Sequence, residues 1–203
     1  MRNVIAKVAV SLLIGGLVFA SALPAGAWAV SGDFITGGGW FIMQNPYYPG
    51  IQVAVPGGRA NFGWHGGVKN GDWWGNGNYI DHGSGFHIQS NQVTGYVVVV
   101  DYAPDKNGHP RGTRDICGIA RVAGFGDFKY RVRMRDLGEP GRNDAFGITL
   151  YDSSSGNPVY FAQGVPINGG NIQLHKGNPS TTPPSTPPSC DSPPYDNILF
   201  TFQ

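Results

Sequence analysis

The residues best placed to do chemistry lie in the segment DLGEPGRND, positions 136 to 144. Asp136, Glu139, Asn143 and Asp144 bring three carboxylates and an amide into one short stretch. A hard cation such as Ca2+ takes about six to eight oxygens from such irregular loops. The spacing does not match an EF-hand loop. The same residues also make a tight turn centred on Pro140-Gly141, with Arg135 and Arg142 neutralising the acids. The sequence leaves both readings open, a Ca2+ site or a turn, and it implies no other cofactor.

Aromatic side chains carry a second signal. Trp64, Trp73, Trp74 and Tyr79, with Tyr47 and Tyr48, stand among Gly, Asn and Asp. Flat rings on exposed loops stack on the apolar faces of sugars, and neighbouring amides and carboxylates bond the hydroxyls. A polysaccharide or cell-wall polymer is the partner this implies. The competing reading is that at least one tryptophan folds back to plug the core.

Other constellations are weaker. His82 and His87 flank Gly-Ser-Gly beside Asp81, but a transition metal needs a third or fourth converging ligand. Their odd separation would put them on opposite faces of a straight strand, as ordinary polar residues. A glycoside hydrolase needs two carboxylates at a set separation, and Glu139 with Asp81, Asp136 or Asp144 is not singled out by spacing. No GxSxG elbow occurs. The basic stripe Lys129, Arg131, Arg133 and Arg135 could meet a polyanion, or be a solvated face offset by acids on neighbouring strands.

The elements that would position these groups are strands. Phe128, Tyr130, Val132 and Met134 alternate with the four cations of the stripe, and Phe146, Ile148 and Leu150 repeat the period of two beyond the acidic loop. Further strands are expected over 32–43, from Arg59, over 79–90, 94–102 and 115–122, and over 159–162 and 170–176. Positions 66–78 are so rich in Gly, Asn and Trp that they read as a long loop. Four leucines (Leu137, Leu150, Leu174, Leu199) and one glutamate (Glu139) follow position 30, so the chain lacks helix formers. The expected fold is a single all-β domain over 30–176, an antiparallel β-sandwich or jelly roll.

The ends have their own character. Arg2 and Lys7, an apolar run from Val8 to Ala20 and small residues near Ala27 read as a cleaved signal peptide over 1–29, so the chain is expected to be secreted with no membrane span afterwards. Removing Arg2 and Lys7 leaves the cations just short of the 13 acidic side chains, which argues against an electrostatic grip on nucleic acid by the protein as a whole. Residues 177–194 form a Pro/Ser/Thr-rich linker, and 195–203 have strand character that suits docking on the domain.

Export places Cys117 and Cys190 in an oxidising compartment, where they are expected to pair as one intrachain disulfide and tether the tail. The alternative is a buried Cys117 with Cys190 free or bridging two chains.

The series GGGWF, RANFGW, YIDHGSGFHIQS, CGIARVAG, DLGEPGRNDAFGI and GGNIQLHK resembles the post-COAP domain of bacterial secreted proteins, over about 37–176. Its most specific pieces are GEPGRND (138–144) and GGNIQLHK (169–176). The resemblance implies an exported β domain with no catalytic residues to carry over. This chain adds the Trp-Gly-Asn segment and the Pro-rich tail. The function expected is non-catalytic binding or attachment at the cell exterior, against a self-assembling surface protein or a secreted glycan hydrolase. Oligomeric state and ligand identity are not specified by the sequence.

Overall fold

The computed structural model describes residues 32–44 and 57–190. The signal segment 1–29, Tyr47, Tyr48, the end of the linker and the segment 195–203 lie outside the described residues.

The described chain is all-β. Its strands are β1 (Phe34–Ile42), β2 (Arg59–Lys69), β3 (Asp72–Asp81), β4 (Phe86–Tyr102), β5 (Arg111–Val122), β6 (Gly126–Asp136), β7 (Ala145–Tyr151), β8 (Pro158–Gly164) and β9 (Gly169–His175). They form one antiparallel sheet in the order β8-β7-β6-β5-β4-β3-β2-β1-β9. The two separate sheets of a sandwich are therefore replaced by a single sheet. Each strand from β1 to β8 pairs with its chain neighbour, and the sheet curls until β8 comes against β1 and β9 against β6. The amide of Gln44, just past β1, donates to Gln163 O of β8 (3.3 Å). No helix among the described residues is long and apolar enough to cross a membrane.

Curling turns one face of every strand inward. On β6 that face is Phe128, Tyr130, Val132 and Met134, and on β7 it is Phe146, Ile148 and Leu150, all buried as the period of two requires. Phe146 stacks on Phe62 with centroids 4.0 Å apart, and Phe41 and Tyr79 pack around the same ring. This enclosed core supplies the apolar burial that holds a chain with so few charges together.

The segment 66–78 departs from the expected loop. It is the meeting of β2 and β3 through the two-residue turn Asn70-Gly71, with Lys69 paired to Asp72. Asn70 (φ 53°) and Gly71 (φ 83°) both take left-handed backbone, which the tight hairpin turn demands and which Asn-Gly adopts at low cost. The stretch 94–102, apolar on both faces and so expected as a central strand buried on both sides, departs in a smaller way. β4 carries three register shifts against β5, and at the third of them Val99 and Val100 face solvent at 40% and 37% exposure.

Residues 177–190 have no regular structure and run back over the outside of the sheet. Ser180 O and Thr182 O accept the amides of Asn70 and Gly71, and the Ser189 amide donates to Thr94 O. The run ends in the disulfide Cys117–Cys190, which joins it to the outer side of β5 and closes a loop of sequence separation 73. Val97 packs against the pair. The expected intrachain bridge is the one formed.

Candidate functional site

The structure divides the aromatic set. Trp64 (1% exposed) and Tyr79 (0%) point into the core, which overturns their assignment to a ligand surface. Trp64 meets Tyr130 edge-on at 5.0 Å. Room for its indole comes from Gly77 opposite, where a side chain would overlap the ring. The Tyr79 hydroxyl accepts from Tyr160 (2.6 Å) and donates to Met43 Sδ (3.7 Å). Trp73 is partly buried against the same core. Trp74 alone of the four stands on the outer face.

Alternation on β1, β2, β3 and β9 builds that face. Thr36 pairs with His65, Gly38 with Gly63, and Trp40 with Asn61, so like-facing residues form rows across the sheet. Gly38 and Gly63 are both exposed, and nothing stands within 4 Å of the place a Gly63 side chain would occupy. This bare floor is part of an open trough of about 600 Å3 bordered by Thr36, His65, Trp74 and Asn171. Trp74 is half-buried, with Phe34 at 6.1 Å and His65 at 4.9 Å. Phe34 in turn stacks on His175 at 4.4 Å, and His175 shares a 2.8 Å hydrogen bond with Thr36. Burial lowers the pKa of both His65 and His175.

Two cations border the same face. The Arg59 guanidinium lies 4.5 Å above the Trp40 ring, and Lys69 Nζ lies 5.7 Å from Trp74. Trp40 and Arg59 were not among the residues singled out from the sequence. The register that puts Trp40 and Trp74 on one outer face, towards its opposite ends, is not visible in one-dimensional spacing.

His82 and His87 share one side, contrary to the opposite faces expected. The chain turns between them, from β3 into β4, and so restores the phase. Each is bonded through Nε2 to an amide oxygen, His82 to Asn61 (2.9 Å) and His87 to Asn78 (2.5 Å).

The acidic loop makes protein contacts throughout. Asp136 accepts the amides of Gly138 (2.6 Å) and Leu174 (2.7 Å), one on each oxygen. Asp144 accepts those of Leu137 (3.0 Å) and Ile172 (2.8 Å) in the same way. Glu139 accepts from the Asn171 amide at 3.0 Å, and Asn143 O accepts from Arg135 at 3.5 Å. Among the described residues, no group of three or more His, Cys, Asp or Glu side chains is arranged to hold a metal ion. The loop is a turn whose carboxylates cap the free edge of β9. Asp81, the other acid weighed for hydrolysis, is fully buried, and its Oδ1 accepts the amides of Gly83 and Ser84.

The basic stripe is largely internal to the protein. Asp115 of β5, fully buried, receives Arg131 and Arg133 from the facing strand, with Nε of each at 2.7 Å. Its carboxylate has no capacity left, and neither arginine is offered to a polyanion. A second cluster joins the buried Arg114 to the buried Asp33 and to the exposed Asp101 (2.6 Å each), with Tyr96 donating to Asp33. Burial and the Asp33 charge hold the Tyr96 hydroxyl well above its ordinary range.

No protein-family model, curated protein or solved structure matches the chain.

Proposed function

We propose that the protein is a secreted, non-catalytic β domain that binds a carbohydrate polymer with the outer face of β9, β1, β2 and β3. The observation that carries this reading is the Gly38–Gly63 floor beside the half-exposed ring of Trp74. A sugar ring needs an aromatic wall, a surface free of side chains and polar groups at the rim, and here His65, Thr36 and Asn171 supply the rim. The rings sit on paired strands rather than on a mobile loop, which lowers the ordering cost of binding. The disulfide is compatible with an oxidising, extracellular setting, in line with the leader-like N-terminus. The resemblance to the post-COAP domain supports the same non-catalytic role at the cell exterior.

The test is retention on insoluble polysaccharides, read by pull-down of the mature chain. The parent is expected to be retained and Trp74→Ala to be released, with an unchanged melting temperature. Equal retention of the two, or no retention on any polymer, would defeat the reading.

A further inference from the structure

We infer that the polymer taken by this face is an anionic glycan, its sugars bearing carboxylate or phosphate, and that Arg59 and Lys69 select it. The inference rests on the carbohydrate reading and narrows its ligand class. It begins with Trp40, whose ring is covered by the Arg59 guanidinium at 4.5 Å. Gly169, beside the indole nitrogen, leaves the space in which that ring lies. At this end the surface therefore presents a planar cation more than an aromatic face. A guanidinium set over a ring spends no N–H on that contact, and its fork matches the two oxygens of a carboxylate or phosphate.

The other end repeats the pairing with a different cation. Lys69 stands 5.7 Å from the Trp74 ring. Arg59 and Lys69 are the first and last residues of β2, and both are exposed. Along an extended strand those ends lie roughly 30 Å apart, a span suited to an oligosaccharide and too long for a single sugar. Between them, the outward positions of β1, β2 and β9 carry hydroxyl, amide, imidazole, aromatic, aliphatic and glycine groups, and no carboxylate. Two acids adjoin this row: Glu139, exposed beyond β9 and held by the rim residue Asn171 at 3.0 Å, and Asp72, opposite Lys69 across the turn, where an exposed pair attracts only weakly.

Without Arg2 and Lys7 the chain carries 12 cationic against 13 acidic side chains, so its overall field does nothing to draw in a polyanion. Recognition must be local. The stripe on β6 cannot supply it, because Arg131 and Arg133 are committed to Asp115. On the face of the trough itself, two aromatic-backed cations stand at the ends of a side-chain-poor floor, matched to a polymer with sugar rings between its charges.

Affinity electrophoresis of the mature chain tests this in gels holding polygalacturonate, poly(glycerol phosphate), a neutral β-glucan or single-stranded DNA. Retardation by either acidic polymer is expected, weakening with salt and falling about tenfold or more in Arg59→Ala/Lys69→Ala. The two acidic gels distinguish carboxylate from phosphate as the favoured charge. Equal, salt-insensitive retardation by the neutral glucan would overturn the inference and leave the carbohydrate reading standing. Equal retardation by DNA would also overturn it, since charge alone would then suffice. No retardation in any gel would remove both.

Discussion

Asp144 accepts the backbone amide of Ile172 at 2.8 Å, across the line where the curled sheet closes. Asp136 does the same for Leu174, so two carboxylates stand where a tenth strand would otherwise bond. An open strand edge invites pairing with another chain. Capping the edge of β9 with acids removes that invitation, which counts against assembly by strand addition there.

Removing one cap should be costly. Asp144→Ala leaves the amides of Leu137 and Ile172 without their acceptor. The expected loss is about 3 kcal/mol, read by chemical denaturation. Hydrogen exchange should show the Ile172 and Leu174 amides opening first. Unchanged protection of both would contradict the capping role.

The same carboxyl predicts a pH dependence. Burial pushes Asp144 up to about 6, helped by the charges of Asp136 and Glu139 and opposed by its two backbone N–H bonds. Asp136 is raised as well, again chiefly by burial. An unfolded aspartate titrates near 3.9, so the folded state binds the Asp144 proton more tightly. That contribution is fully present below about pH 4 and is lost as pH rises through about 6. His65 and His175, lowered by burial, act in the opposite sense: their contribution is present above about pH 6.5 and lost as pH falls. The measurement is therefore a difference. The stability of the parent relative to Asp144→Asn should rise on moving from neutral pH towards pH 4, and a flat difference would rule out a raised Asp144.

Calcium should have no effect on melting. Every oxygen of Asp136 and Asp144 already accepts a backbone amide, and among the described residues no group of three or more acidic, His or Cys side chains converges to hold an ion. Melting curves with chelator and with added Ca2+ are expected to coincide. A chelator-induced drop restored by Ca2+ would reinstate the ion at Asp136, Glu139, Asn143 and Asp144.

Reduction should loosen the molecule. Closing a loop of sequence separation 73 restricts the unfolded chain by about 4 kcal/mol in the entropy model. Cys117→Ser/Cys190→Ser should lose most of that, and residues 177–190 should become cleavable by protease. Equal stability of oxidised and reduced protein would mean that the hydrogen bonds to Asn70, Gly71 and Thr94 hold the tail unaided.

Asp115 should be among the least replaceable residues. Asp115→Ala would leave Arg131 and Arg133 without their shared buried carboxylate, at a cost of roughly 4 kcal/mol by urea titration. A loss below about 1 kcal/mol would show that solvent reaches the two guanidinium groups.

Strand periodicity made β6 and β7 legible, because large apolar side chains take every second position on each, even though β7 is buried on both faces. The β2–β3 hairpin was also signalled, by Asn70-Gly71, but the surrounding glycines imitated a loop. Those glycines have a packing role instead: Gly77 makes room for Trp64 inside. The trough on the outer face could not be read, because it depends on register. Gly38 meets Gly63 only once β1 and β2 are aligned. The two motifs most specific to the family resemblance, GEPGRND and GGNIQLHK, turn out to touch each other through Asp144–Ile172 and Glu139–Asn171. They specify closure of the sheet more directly than the ligand-binding face.

The pairing of β1 with β9 also orders events during synthesis. Phe34 pairs with His175, whereas the pairings from β1 through to β8 join neighbours that can form hairpins as they emerge. At about 5–20 residues per second, β1 waits many seconds with one row of donors and acceptors unclaimed. Over that interval its open edge is a template for a wrong partner. Gly37-Gly38-Gly39 at its centre make it a poor one, since glycine weakens isolated strand pairing. Gly38, which leaves the floor bare in the finished protein, thus also helps to protect its first strand while it is unfinished.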